Sequence, residues 1–188
     1  MKRIKCKDIA SMDPSRIVGV DIETTGLNCR VDEILSVSIV DGTGKILFDR
    51  FFRPSIAKSW PEAQAVNGIS PDDVADCPEI YEYLEIISAA LSSADAIVTY
   101  NGIGFDIPWL MAKGVNVPDV PICDVMLDYA PIYGEWSDYW DDYRWQTLET
   151  CAYCYKIDFR AHNSLEDIRA TMECMRHVAE DQEREAVA

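Results

Sequence analysis

Asp21 and Glu23 stand two residues apart at the end of the apolar run Ile17-Val18-Gly19-Val20. Such a run reads as a buried strand. Residues two apart on a strand point to the same side, so the two carboxylates share one face at the strand's end. Side by side they repel each other and are costly to desolvate. No Lys or Arg occurs in the six residues after Val20. A divalent cation is the natural partner, because magnesium and manganese take oxygen ligands.

Two further sites could complete such a cluster. Asn101-Gly102-Ile103-Gly104-Phe105-Asp106 follows a predicted strand and opens a predicted helix. Ligand sites in α/β proteins favour such strand ends, although an Asp at a helix start can simply cap it. The third site is Ala161-His162-Asn163-Ser164-Leu165-Glu166-Asp167. Ser164-x-x-Asp167 matches a capping box, which starts a helix at Ser164 and offers a purely structural reason for Asp167. His162 then lies in the loop before the helix, where it can face the same cleft as Asp167.

Together these residues resemble the DEDDh family of 3′→5′ exonucleases, in the ribonuclease H-like superfamily. Its members include the proofreading epsilon subunit of bacterial DNA polymerase III and ribonuclease T. The three motifs occur in order: Asp-x-Glu-Thr-Thr-Gly at 21–26, Asn-x-x-x-Phe-Asp at 101–106 and His-x-x-x-x-Asp at 162–167. Val66-Asn67-Gly68-Ile69-Ser70 resembles the family's substrate-side Val-His-Gly-Ile-Thr segment. The resemblance spans residues 16–180.

It implies a metal-dependent enzyme that hydrolyses phosphodiester bonds at single-stranded 3′ ends and releases nucleoside 5′-monophosphates. DNA is the first expectation for the substrate and RNA the alternative. The cofactors would be two Mg2+ or Mn2+ ions. Asp21, Glu23 and Asp167 would bind the first ion, Asp21 would bridge to the second, and Asp106 would support the second through water. His162 would be the general base. Thr24, Thr25, Gly26, Leu27, Val66, Asn67, Asn101 and Phe105 would line the terminal-nucleotide pocket. Two metals roughly 3.5–4 Å apart suit in-line displacement at phosphorus. A histidine, with an unperturbed pKa near 6.5, can accept a proton around neutral pH. Two residues depart from the family pattern: Asn67 stands where many relatives have His, and Ser164 where Ala is common.

The elements that must position these residues follow from periodicity. Strands are predicted at about 16–22, 33–40, 46–52 and 96–100, the first three joined as an antiparallel meander with a turn at Asp41-Gly42-Thr43-Gly44. Helices are predicted near 62–66, from Ser70-Pro71, and over 78–92, 105–113, 124–129, 146–155 and 164–182. The fold class is α/β. The resemblance completes it as a ribonuclease H-like mixed five-stranded sheet, with an antiparallel meander plus parallel strands, flanked by helices. One exonuclease domain over 1–188 is expected, with 1–15 as a lead-in and 16–182 as the core.

Composition sets the remaining bounds. A net charge of −16 argues against gripping long stretches of nucleic acid. It leaves room for an enzyme that holds a few nucleotides through metal ions. No apolar run is long enough for a bilayer, so no membrane partner is expected. The charged N-terminus lacks the core of a secretion signal, and a cytoplasmic location is expected. Seven scattered cysteines suggest reduced thiols. Cys151 and Cys154 lack a second pair for zinc, so buried or half-buried thiols are expected.

The basic N-terminus reads as a solvated tail. Residues 135–145 hold three of the five tryptophans among acids. The expectation is a loop with its tryptophans packed. Stacking on bases or a partner surface are the alternatives. With about twenty residues after Asp167, a stand-alone enzyme or homodimer is expected, and polymerase association stays open. A nuclease-like module that only binds a polymerase or other partner is the rival from another class. The full acid set speaks against it.

Overall fold

Three apolar side chains, Ile4, Cys6 and Ile9, decide the course of the N-terminal segment. The computed structural model describes residues 2–187. A short helix α1 (Cys6–Ile9) buries Cys6 and Ile9 completely, and Ile4 packs beside them. The expected solvated lead-in is therefore corrected: the lysines stay towards the surface while the apolar residues between them enter the core. Arg3 pairs with Asp128, and the Cys6 amide donates to the same carboxylate at 2.7 Å.

The apolar run then forms β1 (Ile17–Thr24), which pairs antiparallel with β2 (Ile34–Asp41), itself antiparallel to β3 (Ile46–Phe51). Helix α2 (Pro61–Asn67) stops where Gly68 takes φ +72°, a conformation glycine adopts without strain. Helix α3 (Pro71–Val74) opens on the expected cap, Ser70 and Asp73 bonding reciprocally. The long helix expected from 78 is broken by a 3-10 turn, and α4 spans Leu84–Ser92. Strand β4 (Ala96–Thr99) lies parallel to β1. Helix α5 (Asp106–Lys113) follows.

A three-residue strand, β5 (Ile122–Asp124), pairs parallel with β4 and leads into α6 (Val125–Tyr133). Residues 134–145 form a small ribbon of β6 (Trp136–Ser137) and β7 (Asp142–Tyr143). Helices α7 (Leu148–Tyr155) and α8 (Ser164–Val187) complete the chain. The sheet order is β3-β2-β1-β4-β5, the mixed five-stranded arrangement expected.

The alternation of β1 divides the interior. Val18, Val20 and Ile22 pack against Ile87 and Leu91 of α4 and Ile107 and Leu110 of α5. Ile17 faces the opposite core with α1, α6, α7 and α8. Gly19 lies on this second side. A Cβ there would come within 2.8 Å of Ile168 and 2.9 Å of Met172. The absent side chain lets α8 approach β1 closely. The next two residues on that face are Asp21 and Glu23, so α8 begins directly over them.

Candidate active site

Asp21 and Glu23 are half-buried at the end of β1, beyond the last residue paired with β4. Past that point the Ile22 amide has no partner from β4. Asp106 supplies one: its Oδ1 accepts from Ile22 N at 3.0 Å. Asp106 is the first residue of α5, and its carboxylate turns to the sheet rather than capping the helix. It is 3% exposed. The bland reading of Asp106 as an N-cap is thereby removed.

The capping expectation at α8 is corrected in the same way. Asn163 is the cap: its side chain accepts from Glu166 N at 3.1 Å, and its carbonyl accepts from Asp167 N at 2.8 Å. Ser164 is buried and bonds instead to Ser36 and Ser38 of β2 at 2.9 and 2.8 Å. Ser38 continues the chain to Asp49. The hydroxyl that departs from the family pattern thus pins the first turn of α8 to the sheet. The Asp167 carboxyl meets the backbone amides of His162 and Asn163, but its Oδ1 is buried with no hydrogen-bond partner among the described residues. A buried carboxylate oxygen without a donor is costly, and a bound cation would offset that cost.

The electrostatics agree. Burial, then the carboxylates of Asp106, Asp167 and Glu23, hold the Asp21 carboxyl well above the usual range. Burial pushes Glu23 to about 7 against the opposing Asn67 amide. Burial also raises Asp106 to about 7, opposed by backbone amides including that of Ile22. Asp167 rises to about 7 through burial and the nearby Glu23. Four acids that destabilise one another's charged forms fit a site for divalent cations.

His162 joins them. Ligand atoms of Glu23, His162 and Asp167 all lie within 4.8 Å of one another. His162 sits before α8 at φ +63°. Asn101, in the second motif, has the same positive φ. Both are conformations that non-glycine residues adopt rarely, and they concentrate at functional sites. Asn101 is held by Asp124, whose carboxylate accepts from Asn101 N at 2.8 Å and Ile103 N at 3.1 Å.

Sequence reasoning missed Asp124, and it missed Glu149 on α7, which lies 3.4 Å from His162. No spacing pattern linked either residue to the site.

The proposed substrate residues divide. Val66 and Asn67 line a cavity of about 510 Å³ together with Glu23, Arg160 and His162. Asn67 donates to the Thr24 carbonyl at 3.2 Å and accepts from Ile69 N, fixing this wall to β1. Thr24, Thr25, Gly26, Leu27, Asn101 and Phe105 do not line that cavity. Thr24 and Thr25 are buried and organise the turn after β1, where Thr24 Oγ1 donates to the Gly26 carbonyl. Leu27 is 88% exposed. Phe105 packs on Trp109.

Of the two cysteines three apart, Cys151 is buried but Cys154 is exposed, correcting the expectation for the second. It projects from the solvent side of α7. Neither belongs to a metal-ligating cluster among the described residues. Among the described residues, no helix is long and apolar enough to cross a membrane.

Residues 18–175 match the family model described as exonuclease, RNase_T. Among solved structures, a zinc-bound E. coli exonuclease I complex with single-stranded DNA superposes with TM-score 0.71 at 18% identity, covering 92% of this chain and 42% of that one. Exonuclease X in complex with 5′-overhanging duplex DNA gives 0.64 at 19%, covering 89% and 93%. Exonuclease I from Methylocaldum szegediense gives 0.68 at 23%, covering 89% and 41%. At these identities the likeness is one of fold, and the chain spans about two-fifths of the exonuclease I proteins. No curated protein sequence matches the chain.

Proposed function

This chain belongs to the exonuclease family, and from that membership we propose that it is a metal-dependent 3′→5′ exonuclease of the DEDDh type acting on single-stranded DNA ends. The observation that carries the reading is the convergence of four acids from β1, α5 and α8, with one buried oxygen of Asp167 left without a donor.

Asp21, Glu23, Asp106 and Asp167 would hold two divalent ions, Mg2+ or Mn2+. Such ions supply Lewis-acid stabilisation of the charge that develops at phosphorus. The chain's own residues do the rest. His162 accepts a proton from the attacking water through an imidazole nitrogen. Val66 and Asn67 bound the cavity beside Glu23 and receive the terminal nucleotide, while the Thr24–Leu27 turn, Asn101 and Phe105 lie outside its lining. The products are a shortened strand and a nucleoside 5′-monophosphate.

The test is digestion of matched, labelled DNA and RNA single strands with magnesium, manganese or chelator. Metal-dependent release of mononucleotides from the 3′ end of DNA is expected. Asp21→Ala and Asp167→Ala are expected to abolish it while the circular dichroism spectrum stays unchanged. Undiminished turnover by either variant, or no turnover of either polymer with any metal, would overturn the reading.

A further inference from the structure

The ribbon between α6 and α7 presents its aromatic residues to solvent. Tyr139 is 83% and Trp140 73% exposed, and Trp136, Tyr143 and Trp145 are also exposed. The expectation that this stretch packs its tryptophans onto the domain is thereby corrected. The rings brace one another instead: Trp136 meets Tyr143 edge-on at 5.2 Å, and Tyr139 meets Trp140 at 4.7 Å. With Trp145 the ribbon walls a groove of about 700 Å³. Preassembled Tyr and Trp surfaces of this kind dominate the energetics of protein interfaces.

Charge decides what such a groove can take. Residues 134–145 carry Glu135, Asp138, Asp141 and Asp142 against one base, Arg144, and that base is drawn to Glu135 at 3.5 Å. The same acids repel phosphates, so a nucleic-acid strand is disfavoured despite the aromatic faces. A second copy of a chain with net charge −16 is disfavoured for the same reason. Arg3 and Lys5 border the neighbouring cavity beside Trp145 together with Asp128 and Asp142, so basic and acidic groups are balanced there, and Asp138 and Asp141 lie outside its lining.

We propose that this ribbon is a docking surface for a partner polypeptide segment in which Lys or Arg side chains flank apolar ones. The apolar side chains lie against Trp140 and Trp145. The basic groups lie over Asp142 in the groove wall and over Asp138 and Asp141, which flank Tyr139-Trp140 in the chain. The inference is independent of the exonuclease reading.

The probe is a synthetic peptide alternating Lys and Leu, titrated calorimetrically into the full chain at physiological ionic strength. An alternating Glu and Leu peptide and a dT oligonucleotide are run beside it. Binding of the basic peptide in preference to the acidic one is expected. Tyr139→Ser combined with Trp140→Ser should weaken it by about tenfold or more, and so should Asp138→Asn combined with Asp141→Asn. The exposed positions keep the fold intact, and trimming of single-stranded DNA should be unchanged in both variants. Three results would overturn the proposal: no binding of the basic peptide, equal binding by the aromatic variant, or loss of oligonucleotide binding in that variant. The second would reduce the interaction to general charge attraction, and the third would make the ribbon a nucleic-acid platform.

Discussion

Glu149 Oε1 lies 3.4 Å from His162 Nε2. Glu149 sits in the first turn of α7, and His162 precedes α8, so both helices must be in place for this pair to form. A carboxylate at this distance attracts the ring nitrogen that carries a proton and so favours one orientation of the imidazole. Glu149→Gln is expected to lower kcat on single-stranded DNA by roughly three- to tenfold with KM unchanged, whereas His162→Ala should lower it by about 10²-fold or more. Steady-state kinetics with both variants check this. A rise in KM at constant kcat would place Glu149 on the substrate side instead.

The orphaned oxygen of Asp167 predicts a conflict between stability and activity. Asp167→Asn removes a charge whose proton affinity is raised, to a pKa of about 7, by burial and Glu23. The metal-free variant should be more stable than the parent at pH 8 by roughly 1–3 kcal/mol while losing hydrolysis. Chemical denaturation in chelator measures the first, and strand digestion the second. A less stable variant would mean that the oxygen has a partner.

The same groups set a pH dependence of the metal-free fold. Glu23, Asp106 and Asp167 titrate near 7 when folded, above their ordinary carboxylate values. Between those values the folded state retains protons that the unfolded chain has released. Their contribution to stability is greatest below the ordinary carboxylate range, falls as pH rises towards about 7, and levels off above it. Added Mn2+ should offset that loss, raising Tm more at pH 8 than at pH 5. Thermal scans with and without metal decide it. An equal metal effect at both pH values would separate the binding site from these acids.

Gly19 gives a structural test remote from the chemistry. Gly19→Ala sets a methyl group within 2.8 Å of Ile168 and 2.9 Å of Met172. Overpacking of this kind costs about 1–3 kcal/mol. Ile168 directly follows Asp167 on α8, so lifting the helix should also lower activity beyond the loss of folded protein. Thermal unfolding and activity per folded molecule separate the two effects.

The chemistry is more legible in the sequence than its supports are. Asp21, Glu23, Asp106, His162 and Asp167 stand out because together they resemble the three ordered DEDDh motifs, whereas taken singly Asp106 and Asp167 read equally well as helix caps. β5 does not, because three residues between Pro121 and a helix carry no strand period. Its last residue, Asp124, which holds the Asn101 loop, is hidden with it. The α8 cap is ambiguous in sequence because Asn163 and Ser164 are adjacent and both cap-competent. Only the serine pair of β2 reveals that Ser164 is otherwise engaged. The aromatic ribbon is invisible to periodicity because its strands are two residues each and ring contacts brace it.

The N-terminal segment carries a consequence for the order of synthesis. Arg3 and Cys6 bond to Asp128, and the Lys7 amide donates to Gln182 at 3.1 Å. Residues 3–9 leave the ribosome before every element they pack against, so they must wait, with Ile4, Cys6 and Ile9 uncovered, until α8 has emerged. Contacts of such long sequence separation slow folding. The nascent chain therefore carries these three apolar side chains uncovered until α8 is made, interspersed with the lysines that keep the segment dispersed in the interval.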